Sequence, residues 1–423
     1  MKLNCQAFSY LIIFLLVSCN PDSQWKGQAP VKAVNTSTVP IQMQQKGIYD
    51  LGNGINVSND FLGARMNGVA MSGDTLVNIL ITAENEPINM SPWYAFKIWA
   101  ESQKQIKLKL NYQEPAYHRY YPKLSKNYQD WYLIDSADYS LNYTMIQANE
   151  EYDNSTEVPE SAVLVLEIDT DTLWVAAQPN LNSNHNAQWV AELDSLPFVR
   201  RLEIGKSRRG TVIPALIIGD EKNPKMNVIF SRQHPPEVTG YRAMQTFVEA
   251  LCDHSDLANS YREGYTTLVI PMINPDGVDL GHWRHNAGGV DLNRDWKAFN
   301  QPETSAVRDF LESMSKTNQG TYYFAVDFHS TWEDIFYLAS NGSSNLPGLS
   351  EQWINQLGNR MEGYEPNIRR MAGADPVTSD RFMFATYHCE ALTYEVGDNT
   401  PEDFIQKKSQ IAAKEWMKLL SAN

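Results

Sequence analysis

Hydrophobic and polar positions fall into two regimes along the chain. From about Gly47 to Asn186, short runs alternate or stay apolar at Thr75–Thr82, Trp93–Ala100, Ile106–Tyr112, Asp130–Ile134 and Ala162–Ile168, with Asn, Gly, Ser, Pro and Asp between them. Runs of this length broken by turn residues predict strands, and several at such spacing predict an all-β sandwich. Past about Gln188 the strands alternate with longer helical stretches. Strands are predicted at Val212–Ile218, Met226–Phe230, Thr267–Ile273, Tyr322–Phe328 and Ala391–Val396. Helices are predicted at Glu237–Asp253, where Tyr241, Met244, Val248 and Leu251 share a face, at Pro302–Met314, and after Thr400-Pro401-Glu402-Asp403. That last stretch offers an N-cap threonine, a proline at the first helical position and acidic residues in the first turn. The alternation predicts an α/β fold with a mixed, largely parallel sheet flanked by helices. The expected division is a β-sandwich domain over 46–187 and an α/β domain over 188–423.

Length agrees with two domains, since 423 residues are long for one core. The formal net charge of −15 argues against nucleic acid and anionic membrane surfaces as partners. Aromatic residues crowd the first regime, at Trp93, Tyr94, Trp99, Tyr120, Tyr121, Trp131 and Tyr132. They read as sandwich core, with a sugar-binding platform as the alternative.

The first residues read as a targeting segment. Lys2 gives a positive start, Ala7–Val17 an apolar core too short to span a bilayer, and Leu16-Val17-Ser18-Cys19 a cleavage site. Leu-x-Ser-Cys resembles a bacterial lipobox, which implies a lipoprotein signal over 1–19, acylation of Cys19, and export to the periplasm or outer membrane. Residues 20–45, rich in Gln, Ser, Thr, Pro and Val, read as a flexible tether. Cys252 and Cys389 then remain as one possible pair, which is no disulfide framework.

Candidate chemistry gathers at the carboxyl ends of the later predicted strands, where open α/β sheets keep their sites. Ser231-Arg232-Gln233-His234-Pro235-Pro236-Glu237 joins a strand to a helix and presents a histidine and a carboxylate three residues apart. Both are good zinc ligands, and a catalytic zinc usually takes three protein ligands plus water. Asn274-Pro275-Asp276-Gly277 closes another strand with turn chemistry, followed by Arg284 and by Asp291-Leu292-Asn293-Arg294. Asp327-Phe328-His329-Ser330 ends a strand with a histidine, and Thr393-Tyr394-Glu395-Val396-Gly397 ends the last with a carboxylate. Singly, each has a bland reading as a turn, a core histidine or a surface charge.

Together these segments resemble the carboxypeptidase A-like zinc metallocarboxypeptidases, closest to the branch called cytosolic carboxypeptidases. The likeness runs from about Gln188 onward. Gly205-Lys206-Ser207-Arg208-Arg209-Gly210 is similar to the segment that opens that family's catalytic domain. The resemblance implies a carboxypeptidase/phosphorylase-like fold and one Zn²⁺ per chain on His234, Glu237 and His329. It implies Glu395 as general base, Arg284 as the holder of the developing oxyanion, and Asn293 and Arg294 as receptors of the substrate's C-terminal carboxylate. In this family the side-chain pocket is lined about fifteen residues before the catalytic glutamate. Strict counting points to Asp380 and a basic side chain, whereas the pattern of the deglutamylating branch points to Arg381 and an acidic one. The second is the reading favoured here.

Departures from the family are plain. Pro236 stands where glycine is more common. The family's mobile tyrosine has two candidates, Tyr364 and Tyr387, and the aromatic segment expected around Ala177–Ala187 is absent. Glu333 is the alternative base. His282 and His285 flank Arg284 and read as ordinary loop histidines, with a substrate-facing place as the alternative. No Gly-x-Ser-x-Gly is present, which leaves a serine mechanism little support.

The expected activity is zinc-dependent removal of C-terminal residues from extracytoplasmic peptides. Alternatives are a cell-wall peptide amidase or endopeptidase, or an acyl-amino-acid deacylase, on the same scaffold. From another class comes a non-catalytic, glycan-binding lipoprotein. Oligomeric state is not legible.

Overall fold

The computed structural model describes residues 34–146, 155–339, 344–371 and 375–422. Its C-terminal half is built on an eight-stranded mixed sheet. In order across the sheet, the strands are Val199–Lys206, Val212–Ile218, Thr266–Ile270, Lys225–Ser231, Thr321–Thr331, Glu390–Gly397, Ile335–Leu338 and Ile368–Arg370. The four central strands, Thr266–Ile270 through Glu390–Gly397, run parallel. They read as near-continuous apolar runs because helices cover both faces. In Lys225–Ser231, Val228 and Phe230 pack on one face with Trp296 and Leu311, while Ile229 packs on the other with Tyr241, Phe247, Trp353 and Trp416. The period of two that marks a strand thus supplies two cores at once.

All five predicted strands of this half form, with ends displaced by a few residues. Val199–Lys206 was not foreseen. It is an edge strand whose Arg200, Arg201 and Glu203 face water, so no apolar run announces it, and its charges discourage edge-to-edge pairing. The helix predicted over Pro302–Met314 extends to Asn318, its last turn being Ser315-Lys316-Thr317-Asn318, polar and solvent-facing. The final helix, Glu402–Ser421, has Pro401 rather than Thr400 at its cap and no side-chain cap bond; Glu402 and Asp403 occupy its first turn as expected.

The N-terminal half holds two sheets. One is ordered Ile48–Asp50, Ile55–Ser58, Ala95–Ala100, Leu173–Ala176, Lys123–Ser125, Tyr132–Leu133. The other is ordered Gly68–Ser72, Leu76–Ile81, Lys104–Tyr112, Thr156–Ile168, Tyr139–Ile146. Residues from both, among them Val57, Ile98 and Val175 with Ile79, Leu108 and Leu164, share one buried cluster. Trp93, Tyr94 and Tyr120 are buried in this half, whereas Tyr132 is exposed. Trp283 and Val238 of the C-terminal half join the same cluster, so the two halves are packed together.

One expectation needs correction. The tether expected to reach residue 45 is held from Thr36 onward. Gln301 Nε2 donates to the Thr36 carbonyl at 2.7 Å, Val39 N to the Gly288 carbonyl at 2.8 Å, and Gln42 N to the Glu84 carbonyl at 2.6 Å. Polar residues without periodicity can be fixed by hydrogen bonds, which hydropathy does not register. Cys252 and Cys389 are both buried and unpaired. Cys19 and the signal-like segment lie outside the described residues.

Candidate active site

Local chain geometry places the ligands. At the end of Lys225–Ser231, Arg232 adopts a left-handed φ of 52° and turns the chain into the His234 loop. Its guanidinium is buried over the Tyr241 ring. Glu237 occupies the cap position of the helix Val238–Leu251 but makes no capping bond. Its carboxylate instead lies between two imidazoles, 2.7 Å from His234 Nδ1 and 2.7 Å from His329 Nδ1. Gly240, one helical turn on, meets the strand backbone at His329 so closely that a Cβ there would overlap the His329 carbonyl. One atom from each of His234, Glu237 and His329 lies within 4.8 Å of the others, and all three residues are buried.

The far side of each imidazole is held by a carboxylate. His234 Nε2 is 3.0 Å from Asp291 Oδ1, and His329 Nε2 is 2.9 Å from Asp327 Oδ2. Asp327 also accepts from Gln233 Nε2 and Ser379 Oγ. Carboxylate-held imidazoles are the usual company of a bound zinc, because they fix ring orientation and raise basicity. The donor set therefore fits the ion that the sequence implies.

Glu395 stands on the strand beside His329, and the two are paired in register. Burial pushes its carboxyl up to about 8, with Glu237 adding to the shift while His329, Arg284 and Arg119 pull against it. A divalent cation nearby would pull it further toward the ionised form that a base requires. Its Oε2 is buried without a protein hydrogen bond. Glu333, the alternative base, pairs with Arg369 at 3.2 Å and does not line the cavity.

These groups open on one cavity of about 570 Å³. Its walls include His234, Glu237, His329, Glu395, Arg284, Asn293, Arg294 and Asp380. Arg284 Nε donates to Asp291 Oδ2 at 2.7 Å, so Asp291 joins a metal ligand to the oxyanion candidate. Arg294 Nη1 donates to the Asn293 carbonyl at 2.9 Å, and its side chain is the more exposed of the two arginines. Asn293 Oδ1 accepts from Ser379 N at 3.0 Å, so this side chain braces the segment that carries Asp380.

Asp380 and Arg381 part company. Both are buried in the helix Ser379–Tyr387, but only Asp380 lines the cavity. Neighbouring helical residues point about 100° apart, so one can face the cavity while the other does not. Arg381, the residue favoured on sequence for that pocket, therefore stands away from the cavity wall, where Asp380 is found. Neither Tyr364 nor Tyr387 lines the cavity, whereas Tyr117 and Tyr337 do. His282 and His285 are buried and do not line it.

Sequence reasoning missed the orienting roles of Asp291 and Asp327 and the place of Arg119. Asp327 was findable: in Asp-x-His on a strand both side chains lie on one face. Arg119 was not. It belongs to the N-terminal half yet lines the cavity, tied to Asp398 Oδ2 at 2.7 Å and stacked against Trp332.

Three nitrogen and oxygen donors facing a cavity, with a buried carboxylate beside them, are the equipment of a metal-dependent hydrolase. The comparisons narrow the class. A model of the zinc carboxypeptidase family matches residues 187–418, more than half of the chain, and the chain belongs to that family.

An uncharacterized protein of Zymomonas mobilis is 23% identical over 327 residues, which cover 75% of this chain and 79% of that one. Cytosolic carboxypeptidase 6 of Caenorhabditis elegans is 32% identical over 152 residues, 34% of this chain and 33% of that protein. The chain thus spans about a third of that relative. Among solved structures, a metallo-carboxypeptidase from Burkholderia cenocepacia matches with a TM-score of 0.68 at 15% identity. It covers 87% of this chain and 99% of that one, a likeness of fold.

The metal site carries three expected outcomes. In the metal-free protein burial opposes a charge on His329, but Asp327 and Glu237 prevail and push its pKa well above the usual range. Zinc must displace that proton, so apparent zinc affinity should fall about tenfold for each pH unit lowered while one proton is exchanged. Competition with a chelator across a pH series reads this. His329→Ala should lose most of the zinc, and full occupancy in that variant would remove His329 from the ligand set. Glu395→Gln should retain zinc and lose turnover by at least about 100-fold. Near-normal turnover would place the base elsewhere.

Proposed function

We propose that this zinc carboxypeptidase removes the C-terminal residue from peptides that bear a free carboxylate. The observation that carries the reading is that Arg284 and Arg294, besides Arg119, line the cavity that holds the His234, Glu237 and His329 cluster. A peptide end brings two groups that need positive charge: the carbonyl under attack and the terminal carboxylate.

Zinc bound to the three ligands supplies Lewis acidity, which polarises a carbonyl and acidifies water. Glu395 takes a proton from the attacking water and passes one to the leaving amine. Arg284, steadied by Asp291, donates to the carbonyl oxygen as negative charge develops there. Arg294 binds the terminal carboxylate, for which a guanidinium fork is suited.

The residue released is proposed to be Lys or Arg. Burial pushes the Asp380 carboxyl up, while Thr378 and Arg381 pull against it; its Oδ2 is buried without a hydrogen-bond partner. A carboxylate kept from water in a substrate cavity is best satisfied by a cation. The N-terminal half is read as a β-sandwich domain, supported by two sheets with a shared core. The lipobox-like Leu16-Val17-Ser18-Cys19 supports an exported, membrane-anchored lipoprotein acting on extracytoplasmic peptides.

Matched peptides ending in Lys, Glu and Phe, free and amidated, test the substrate reading through kcat/KM. Free Lys should be preferred and amidation should abolish most of the rate. Equal rates on free and amidated peptides would falsify the carboxylate receptor, and a preference for Glu would return the pocket to Arg381. For the anchor, Cys19→Ser should shift the expressed protein from the membrane fraction to the soluble one; an unchanged distribution contradicts lipidation.

A further inference from the structure

The main chain on which Arg284 stands is held from the N-terminal half of the molecule. Glu84, completely buried, accepts three consecutive backbone N–H groups: Trp283 N on Oε2 at 2.8 Å, and Arg284 N and His285 N on Oε1 at 3.0 and 2.8 Å. The next residue extends the grip. Asn85 Nδ2 donates to the Gly289 carbonyl at 3.0 Å, and its Oδ1 meets His285 Nδ1. Val39 N reaches the Gly288 carbonyl at 2.8 Å, and Trp283 is packed among the apolar side chains of the N-terminal half.

A carboxylate is a costly device for joining two packed surfaces, because apolar contacts there carry no desolvation penalty. Burial would raise the Glu84 carboxyl, yet the neighbouring His282, Arg65 and His285, with the His285 N–H, hold it down to about 2. Burial also pushes His282 down to about 4, so that ring is neutral near pH 7 and Arg65 supplies the lasting positive charge. What the carboxylate gives in return is geometric. Two oxygens spread over three successive N–H groups fix the path of the chain on both sides of Arg284. From that fixed Cα the guanidinium reaches Asp291 at 2.7 Å and faces the cavity.

We propose that Glu84 is a positioning residue for the reaction, acting from the N-terminal half through the main chain of residues 283–285 to aim the Arg284 guanidinium. The proposal rests on the reading of Arg284 as the donor to the carbonyl oxygen. It gives the N-terminal half a share in the chemistry that shape alone does not require.

A double-mutant cycle tests it on the zinc-loaded protein. Glu84→Gln leaves one acceptor oxygen where three N–H groups converged and turns an amide donor toward the loop. The expected result is a fall in kcat of about tenfold, with KM changed less than about twofold and zinc content unchanged. In an Arg284→Ala background the same substitution should change kcat by less than about twofold, because the group it aims is gone. Equal losses in the two backgrounds would overturn the proposal, as would a loss confined to KM or to zinc. If Glu84→Gln does not accumulate as folded protein, Asn85→Ala is carried through the same cycle. It should give a smaller loss that also vanishes without Arg284, and persistence of that loss overturns the proposal. Arg284→Ala retaining wild-type kcat would instead refute the role of Arg284 itself, and with it the assignment to Glu84.

Discussion

Three ligand side chains meet at the carboxyl ends of Lys225–Ser231 and Thr321–Thr331, and each is held from behind, because a carboxylate taken out of water demands positive charge around it. Glu237 sits between His234 and His329, and these in turn lean on Asp291 and Asp327. Counting formal charges, three carboxylates then surround two imidazoles. Without a cation, protons must supply the difference, which is why His329 is pushed toward its charged form and Glu237 is held well below the carboxylate range. A divalent ion resolves the imbalance in one step. Asp291 carries the same account outward, since its other oxygen binds Arg284 and so ties the metal site to a guanidinium that lines the cavity.

The two halves of the chain share this arrangement. Arg119 enters the cavity from one side, anchored to Asp398 just beyond the strand that bears Glu395. Glu84 holds the loop of Arg284 through the main chain. Trp283 and Val238, each next to a functional residue, are buried in the core of the N-terminal half. Packing, hydrogen bonding and electrostatics therefore all cross the boundary that the change in hydrophobic pattern marks near residue 188.

Much of the fold was legible because buried strands write long apolar runs. The central strands stand out for that reason and the helix at Val238–Leu251 for its helical spacing of apolar residues, whereas the edge strand Val199–Lys206, half in water, does not. The ligands were legible because their spacing is local or falls at strand ends. Contacts between residues far apart in sequence were not: Glu84 to Arg284 spans 200 positions and Arg119 to Asp398 spans 279. Choosing between Asp380 and Arg381 needed the helix that carries them, since adjacent residues in a helix point different ways and the sequence alone does not fix which one faces the cavity.

The central claim is that one zinc ion sits among Nδ1 of His234, the Glu237 carboxylate and Nδ1 of His329. Anomalous diffraction from crystals of the purified protein, recorded on both sides of the zinc absorption edge, tests it directly. The account predicts a single strong zinc peak at that point, about 2.0–2.2 Å from each of the three ligand atoms. A zinc peak bound instead through Asp291 or Asp327, or no peak there in protein that holds stoichiometric zinc, would contradict it.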